Sequence, residues 1–160
     1  MAQIEQGLLG AAPDRGPVVR WPGAELRRYR DRLYAAAAYP PVDAGAVLRW
    51  YPATGPLALP GGGRLSAAPA DGAGLKADRC AGGVTVRFRR GGEHCRPAGA
   101  AHRRTLKNLF QERGIPPWER ARVPLIEIDG EIAAVGPFWV CAPFAAAPGE
   151  RGVVIHWVRG

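Results

Sequence analysis

The sequence predicts an α+β fold, in which largely antiparallel β-sheets carry one main short helix packed on them. Apolar runs with the two-residue alternation of strands recur along the chain, and turn residues separate them, with 22 Gly and 16 Pro among 160 residues. Helical periodicity is clear only around residues 106–113. An Asp-Gly pair at residues 129–130 lies between two apolar runs and is the strongest hairpin signal in the chain. Many strands with one helix are typical of an α+β architecture.

The first residues are expected to lie outside this fold. Residues 4–9 fit a last helical turn, and a Gly/Pro linker follows and ends at Pro17. A chain cut from a longer protein and a short natural N-terminus both account for the pattern. A secretory signal peptide is not expected, because the apolar run at residues 2–10 is short and interrupted by polar residues.

The segment from residue 18 to residue 38 is predicted to form three short strands. Turn chemistry at Pro22-Gly23 precedes the second strand, and no apolar stripe with helical spacing is present. The competing interpretation is a helix over residues 24–38, since Ala, Leu, Arg and Glu favour helices. The predicted strands are Val18–Trp21, Glu25–Tyr29 and Arg32–Ala37.

Further apolar runs predict the remaining strands. The sequence Pro-Gly-Gly-Gly at residues 60–63 favours a second hairpin, and residues 68–82, rich in Gly and Ala, are expected to form a surface loop. The predicted strands are Ala46–Tyr51, Leu57–Leu59, Arg64–Ala67, Leu125–Ile128, Glu131–Val135, Phe138–Cys141 and Val153–Val158.

The stretch from Val84 to Trp118 is the most informative part of the chain. Its first part alternates as a strand, with three apolar side chains on one face (Val84, Val86, Phe88) and Thr85, Arg87 and Arg89 on the other. Leu106, Leu109 and Phe110 then form a helical stripe, and basic residues lie roughly opposite. Gly114 is expected as a left-handed C-cap, and Pro116-Pro117 as the stop. One face is therefore expected in a core while the other presents positive charge.

The charge of the chain is concentrated in this stretch. The net charge is +8, and residues 87–122 contain ten basic and three acidic residues, a local excess of +7. A concentrated positive field suggests a polyanionic partner, with nucleic acid as the first candidate. The alternative is a solvated basic face in an Arg-rich proteome, because twenty of the twenty-two basic residues are Arg.

The sequence disfavours an independent catalytic or metal centre. It contains no phosphate loop ending in Lys-Ser/Thr and no Gly-x-Ser-x-Gly turn, and it has two Lys and one Ser. The spacing of Cys80, His94, Cys95 and His102 lacks the paired ligands of zinc sites. Three cysteines without framework spacing fit free thiols in a reducing cytosol. No apolar run is long enough to span a membrane.

The five Trp residues offer a weaker indication of base stacking. Trp21, Trp50, Trp139 and Trp157 lie in or beside apolar runs, so core packing is the favoured interpretation for them. Trp118 follows Pro-Pro beside Arg113 and Arg120, and it stays open as a contact with a nucleobase.

The segment RFRRGGEHCRPAGAAHRRTLKNLFQERGIPPWERARVPLIEIDGEIAAVGPFWV, residues 87–140, resembles the C-terminal domain of bacterial tRNA(Ile)-lysidine synthase. The earlier VVRWPGAELRRYRDRLYA, from residue 18, is similar to the start of that domain, so the resemblance covers about residues 18–158. The run LKNLFQERGIPPW, residues 106–118, is its most specific motif. Residues 1–16 would then be the remnant of a preceding helical domain and linker, and residues 17–160 the C-terminal domain.

The resemblance implies a fold and a function. The family's domain is a small β-rich unit with a packed helix, shared with part of the phenylalanyl-tRNA synthetase β chain. The whole enzyme is a cytoplasmic ligase that uses ATP to join lysine to the wobble cytidine of an isoleucine tRNA with a CAU anticodon. This modification changes both codon reading and aminoacylation identity. Its Ser-Gly-Gly-x-Asp-Ser ATP loop is absent here, so no catalytic residue, cofactor or metal is assigned to this chain.

The expected role is tRNA binding, towards the acceptor stem, beside the catalytic N-terminal domain and without a membrane. The alternative is a structural module that docks on the catalytic domain, with incidental affinity for nucleic acid. A third hypothesis is an independent enzyme that uses His94 and Cys95. Matching to the motif gives five candidate tRNA contacts, and the basic strand face adds two. The seven candidates are Arg87, Arg89, Arg96, Arg103, Arg104, Lys107 and Arg120.

Overall fold

The computed structural model describes residues 18–160, so the expected remnant at residues 1–16 lies outside the described residues. The chain divides into two compact units, one ending at Pro41 and the other spanning Val42–Gly160. The predicted boundary at residue 17 between a remnant and a C-terminal domain stays a prediction.

The first unit is a three-stranded antiparallel meander of β1 (Val18–Trp21), β2 (Ala24–Tyr29) and β3 (Arg32–Ala36). The three predicted strands are confirmed, and the competing helix over residues 24–38 is wrong. Glu25 on β2 is buried and accepts hydrogen bonds from Arg27 (2.7 Å) and Arg20 (3.3 Å). The hydrogen bond from Arg27 holds the pKa of this carboxyl below its ordinary value, although burial opposes that shift. The segment forms strands although several of its residues favour helices, because the pairing between β1, β2 and β3 outweighs that helix propensity.

The second unit contains three antiparallel sheets. A five-stranded sheet has the order β13-β12-β11-β8-β4, a four-stranded sheet the order β5-β6-β14-β7, and β9 pairs with β10. Its strands are β4 (Val47–Trp50), β5 (Leu57–Ala58), β6 (Arg64–Asp71), β7 (Leu75–Lys76), β8 (Val84–Arg87), β9 (His94–Cys95), β10 (Arg104–Thr105), β11 (Leu125–Ile128), β12 (Glu131–Val135), β13 (Trp139–Val140) and β14 (Arg151–Val158). Its helices are α1 (Ala77–Cys80), α2 (Leu106–Arg113) and α3 (Pro117–Arg120), and 3₁₀ turns occupy Pro52–Thr54 and Ala142–Phe144.

The predicted α+β class, with largely antiparallel sheets and one main helix, is confirmed. The alternating strand places Val84, Val86 and Phe88 in the core, where each is at most 1% exposed. The Asp129-Gly130 hairpin joins β11 and β12, and both residues have the positive φ angles (53° and 79°) that its turn requires. In the described part of the chain, no helix is long and apolar enough to cross a membrane.

The segment expected to be a surface loop at residues 68–82 is instead largely ordered into secondary structure. Strand β6 continues to Asp71, because β14 pairs with it along its whole length from Arg64 to Asp71. Strand β7 and helix α1 follow within the same segment. The small side chains that weaken the sequence signal do not prevent a backbone ladder with a long partner strand.

Helix α2 has both predicted ends. The Thr105 hydroxyl accepts a hydrogen bond from the Asn108 N–H at its start, and Gly114 forms the left-handed C-cap with φ 75°. The Leu106, Leu109 and Phe110 side chains are buried, and the Phe110 ring lies 5.7 Å from that of Trp139 on β13. The Pro-Pro pair follows the end of α2 and also begins the next helix, since Pro117 is the first residue of α3.

Cys95 and Cys141 form a disulfide, which corrects the expectation of three free thiols. The two residues are 46 positions apart, and their Cα atoms lie 5.7 Å from one another because Pro97, shortly after β9, pairs with Cys141, directly after β13. Among the described residues, Cys80 is the free cysteine, and its burial raises the pKa of the thiol to about 11. A separation of this length carries no local signal, so only the fold reveals the pair.

Candidate nucleic-acid interface

The seven candidate tRNA contacts lie in different environments of the second unit. Two are internal, two are partly committed to neighbouring side chains and three are exposed. In that order they are Arg87 and Arg120, then Arg89 and Arg104, then Arg96, Arg103 and Lys107.

Arg87 is an internal ion-pairing residue. Its Nε donates to Glu127 on β11 at 2.6 Å, and its Nη1 donates to Glu93 at 3.1 Å. The three side chains are only 13%, 16% and 7% exposed, respectively. Burial alone would lower the pKa of the Arg87 guanidinium. The two carboxylates raise it by more, so the pKa lies above its ordinary value. Arg87 therefore fastens β8 to β11 and to the turn before β9.

Arg120 is also internal, at 7% exposed. Its Nε donates to the Ile115 carbonyl at 2.7 Å, so α3 is tied to the turn that follows α2. This burial keeps the guanidinium away from the surface on which a phosphate would lie.

Arg89 is intermediate between these environments. Its guanidinium carbon lies 6.0 Å from the centroid of the Phe110 ring, and its Nε lies 4.0 Å from a Glu93 oxygen. The Nε atom is buried and forms no hydrogen bond with the described residues. Arg89 therefore contributes positive potential close to Glu93, with part of its side chain still exposed.

Arg104 forms an ion pair with Glu112 on α2. Both of its terminal nitrogens donate to the two carboxylate oxygens, one of them at 2.7 Å, in the forked arrangement that arginine and carboxylates favour. The pair is exposed, at 36% and 60% for the two side chains. The hydrogen bond from Arg104 lowers the pKa of Glu112, and the same bond raises the pKa of Arg104.

The exposed cations lie on a segment that we call the basic arm, residues 94–107, which comprises β9, β10, their connecting loop and the start of α2. Arg96 follows β9, Arg103 precedes β10 and Lys107 lies in the first turn of α2. Their side chains form no ion pair with the described residues. One segment thus carries three cations whose exposed side chains are available to a polyanion.

Backbone bonds hold the basic arm against the five-stranded sheet. Ala98 N–H donates to the Val140 carbonyl at 2.8 Å, and Ala142 N–H donates to the Arg96 carbonyl at 2.7 Å. The Cys95–Cys141 disulfide lies beside these bonds, and Arg104 is the cross-strand partner of Cys95. The arm is therefore anchored next to Arg96, directly after β9.

A cavity of about 440 Å³ lies beside the basic arm, and we call it the arm cavity. Two of the exposed cations, Arg96 and Arg103, line it, together with the disulfide and the hairpin between β11 and β12. Arg87 and the carboxylates of Glu93, Glu127 and Glu131 also line it. Three of the seven candidates, Arg87, Arg96 and Arg103, thus meet at a concave surface, which the sequence alone did not indicate.

Sequence reasoning missed the organising role of Glu93. Its carboxylate accepts from the backbone N–H groups of Arg90 (2.6 Å) and Gly91 (2.9 Å), as well as from Arg87. Burial raises the pKa of Glu93, but these donors lower it more, and the net pKa is below the ordinary value. The Gly-Gly-Glu sequence at residues 91–93 is the signal that points to such a turn, since both glycines have positive φ.

The metal site and the Trp residues are the remaining candidates from the sequence. In the described part of the chain, no group of three His, Cys, Asp or Glu side chains could hold a metal ion. Trp50 is buried and donates to the Gly55 carbonyl, whereas Trp21 is 45% exposed, so core packing is wrong for Trp21. Trp118 is half-buried.

Two family models match the chain. The TilS substrate C-terminal domain matches residues 84–157, which contain the arm and its anchors, and the TilS substrate binding domain matches residues 1–34. Curated proteins called tRNA(Ile)-lysidine synthase align with most of the chain. That of Methylococcus capsulatus is 41% identical over 98% of this chain, and those of Alkalilimnicola ehrlichii and Coxiella burnetii are 42% and 39% identical over 94% and 95%.

The chain spans about a third of the length of these relatives, namely 36%, 34% and 34%. Among solved structures, a crystal structure of a TilS C-terminal domain superposes with a TM-score of 0.53 at 25% identity. The match covers 71% of this chain and 98% of that domain. Sequence and fold therefore agree on the same relatives.

Proposed function

Since the chain belongs to the tRNA(Ile)-lysidine synthase family and corresponds to its C-terminal domain, we propose that it is a tRNA-binding module. The observation that carries the proposal is the basic arm, on which Arg96, Arg103 and Lys107 are exposed without an ion-pair partner among the described residues. Long cationic side chains on one anchored segment suit a phosphate backbone, and they supply affinity without reading sequence.

The proposed partner is an isoleucine tRNA with a CAU anticodon, held on its acceptor-stem side. The reaction served is the ATP-dependent joining of lysine to the wobble cytidine, and the catalytic N-terminal domain of the family carries it out. We assign no catalytic residue of that reaction to this chain, because its sequence lacks a Ser-Gly-Gly-x-Asp-Ser loop. The setting proposed for it is the cytoplasm.

The contact surface that we propose is narrower than the seven candidates. It consists of the exposed cations of the arm, with Arg104 and Arg89 contributing where their acidic neighbours leave them accessible. Arg87 and Arg120 support this surface from inside the unit.

Binding of a labelled isoleucine tRNA transcript to the 160-residue chain, measured across 50–200 mM salt, tests the proposal. We expect the logarithm of the affinity to fall steeply with the logarithm of salt, with a slope of about −2 or steeper for three phosphate contacts. Arg103→Ala and Lys107→Ala should each weaken binding and reduce the slope by about 1. Arg64→Ala makes the same charge change on β6 and should leave binding close to that of the parent.

The structural alternative, docking on the catalytic domain, gives a different result. In that case the double variant Arg104→Ala/Lys107→Ala would lose affinity for the catalytic domain while its affinity for tRNA stayed unchanged. Binding of tRNA that is absent at low salt, or independent of salt, would reject the proposed function.

A further inference from the structure

We propose that the arm cavity binds one unpaired nucleotide of the RNA, with its phosphate at the rim and its base inside. The proposal rests on the proposed function, because it names the feature of the RNA that this surface selects. The cations by themselves explain affinity for any RNA backbone. The cavity is an additional feature that backbone contacts do not require.

The size of the cavity fits a single nucleotide. Its volume of about 440 Å³ lies within the range of about 300–1,000 Å³ that small-molecule sites occupy. A duplex would lie across the opening, because its bases are stacked and paired. Proteins that recognise RNA bases instead accept unstacked nucleotides from loops, bulges and ends.

The rim of the cavity supplies positive charge where a phosphate would enter. Arg96 and Arg103 both line the opening, at the two ends of the loop between β9 and β10. Both side chains are exposed, and neither forms an ion pair with a described residue. A phosphate between them would therefore gain two cationic contacts without breaking an existing pair.

The inside of the cavity supplies apolar surface for the face of a base. The half-buried Ile132 and the exposed Pro143 line it, and the buried Phe144 ring and the Cys95–Cys141 disulfide lie beside them. Unpaired bases are commonly held by apolar and aromatic side chains, since every base has a flat apolar face.

The polar groups inside the cavity favour a base with an exocyclic amino group. Glu93, Glu127 and Glu131 line it, and a carboxylate accepts hydrogen bonds but donates none. Arg87 lines it too, and its guanidinium donates to Glu93 and Glu127. One oxygen of Glu127 already accepts from Arg87, and a carboxylate has further lone pairs to offer. Glu131 is exposed at the start of β12. Cytosine, whose amino group donates to carboxylates, therefore suits the site better than uracil, which carries an oxygen at that position.

The test compares RNA hairpins of identical stem that end blunt, in one unpaired 3′ cytidine or in one unpaired 3′ uridine. Their affinities for the 160-residue chain are measured at fixed salt. We expect the cytidine overhang to bind about fivefold or more tightly than the blunt hairpin, and more tightly than the uridine overhang. Ile132→Phe, which fills part of the cavity without changing charge, should remove this advantage and leave blunt-hairpin binding unchanged.

A second variant keeps the test decisive if Ile132→Phe folds poorly. Glu131→Gln is an exposed substitution whose amide can donate to the uracil oxygen, so it should reduce the preference for cytidine over uridine. Equal affinities of the overhanging and blunt hairpins for the parent chain would overturn the proposal. An advantage that persists in a well-folded Ile132→Phe variant would overturn it as well. If no hairpin binds in a salt-dependent way, the proposed function itself fails.

Discussion

Arg104 and Glu112 form a forked ion pair that joins β10 to the far end of α2. The pair places a carboxylate beside the basic arm, so Glu112 competes with a phosphate for the same guanidinium. The positive charge of the arm is therefore partly neutralised within the chain itself. Because both side chains are exposed, water and salt screen the pair, and it contributes little to the stability of the fold.

Glu112→Gln should raise the affinity for RNA. The substitution releases Arg104 from a charged partner and removes one negative charge from the helix that also carries Lys107. We expect binding to tighten about two- to fivefold at low salt, in line with the small energies of exposed ion pairs. Titration of labelled tRNA at 50 mM salt measures the effect. Glu150→Gln makes the same charge change in the turn before β14, so an equal gain in that variant would show an effect of net charge alone.

The sequence predicted the elements of this surface better than the roles of its side chains. Alternation and capping signals are local, so the strand Val84–Arg87 and both ends of helix Leu106–Arg113 could be read directly. Arg87 is mostly buried against Glu127, which lies forty residues further along the chain. A periodic pattern in the sequence cannot indicate so distant a partner. The disulfide and the arm cavity likewise require segments that only the folded sheet brings together.

Arg87→Ala should destabilise the protein rather than remove a contact with tRNA. It would leave Glu93 and Glu127 without their shared cation in a setting where all three side chains are mostly buried. Breaking such a pair costs about 3–5 kcal/mol when fully buried, so we expect a loss of about 3 kcal/mol in the free energy of unfolding. Urea unfolding measures this loss.

The binding measurement on the same variant separates the two roles of Arg87. At a temperature where the folded fraction is high, the affinity of Arg87→Ala per folded molecule should stay within about twofold of the parent, while Arg103→Ala loses affinity without losing stability. The reverse pattern would place Arg87 in the RNA contact and contradict the internal role that its ion pairs indicate.

The Cys95–Cys141 disulfide should stabilise the unit that carries the arm. It closes a loop over a sequence separation of 46 residues, which in the chain-entropy account corresponds to at most about 4 kcal/mol. Unfolding in the presence and absence of a reductant should show a lower midpoint for the reduced chain. Cys141→Ser should match the reduced parent, and adding reductant to that variant should change nothing.

Alkylation gives an independent check on the state of the cysteines. After denaturation without reductant, the oxidised chain should react at Cys80 alone, and the reduced chain at all three cysteines. In the folded chain Cys80 should stay unmodified at pH 8, because burial raises the pKa of its thiol to about 11 and keeps it protonated. Three reactive thiols in protein kept free of reductant would contradict the disulfide.

Glu93 should make the stability of the arm's base depend on pH. Its burial raises the pKa, but the N–H groups of Arg90 and Gly91 and the Arg87 guanidinium lower it more, so the folded pKa lies below that of the unfolded chain. A depressed pKa gives stability that is complete above the unfolded value, about 4.3, and that is lost as pH falls through the folded pKa. The contribution of Glu93 to the free energy of unfolding should therefore fall in acid and stay constant between pH 6 and 8.

Glu93→Gln isolates this contribution. At pH 7 the variant should lose about 1–3 kcal/mol, because it replaces a charged acceptor of three hydrogen bonds by a neutral amide. Below about pH 4 the gap between parent and variant should narrow, since the parent carboxyl becomes protonated as well. Urea unfolding at pH 7, 5 and 3.5 measures the gap. Ile126→Val removes a buried methyl group and no titratable group, so its gap should stay constant, and a constant gap for Glu93→Gln would mean that the carboxylate charge contributes nothing.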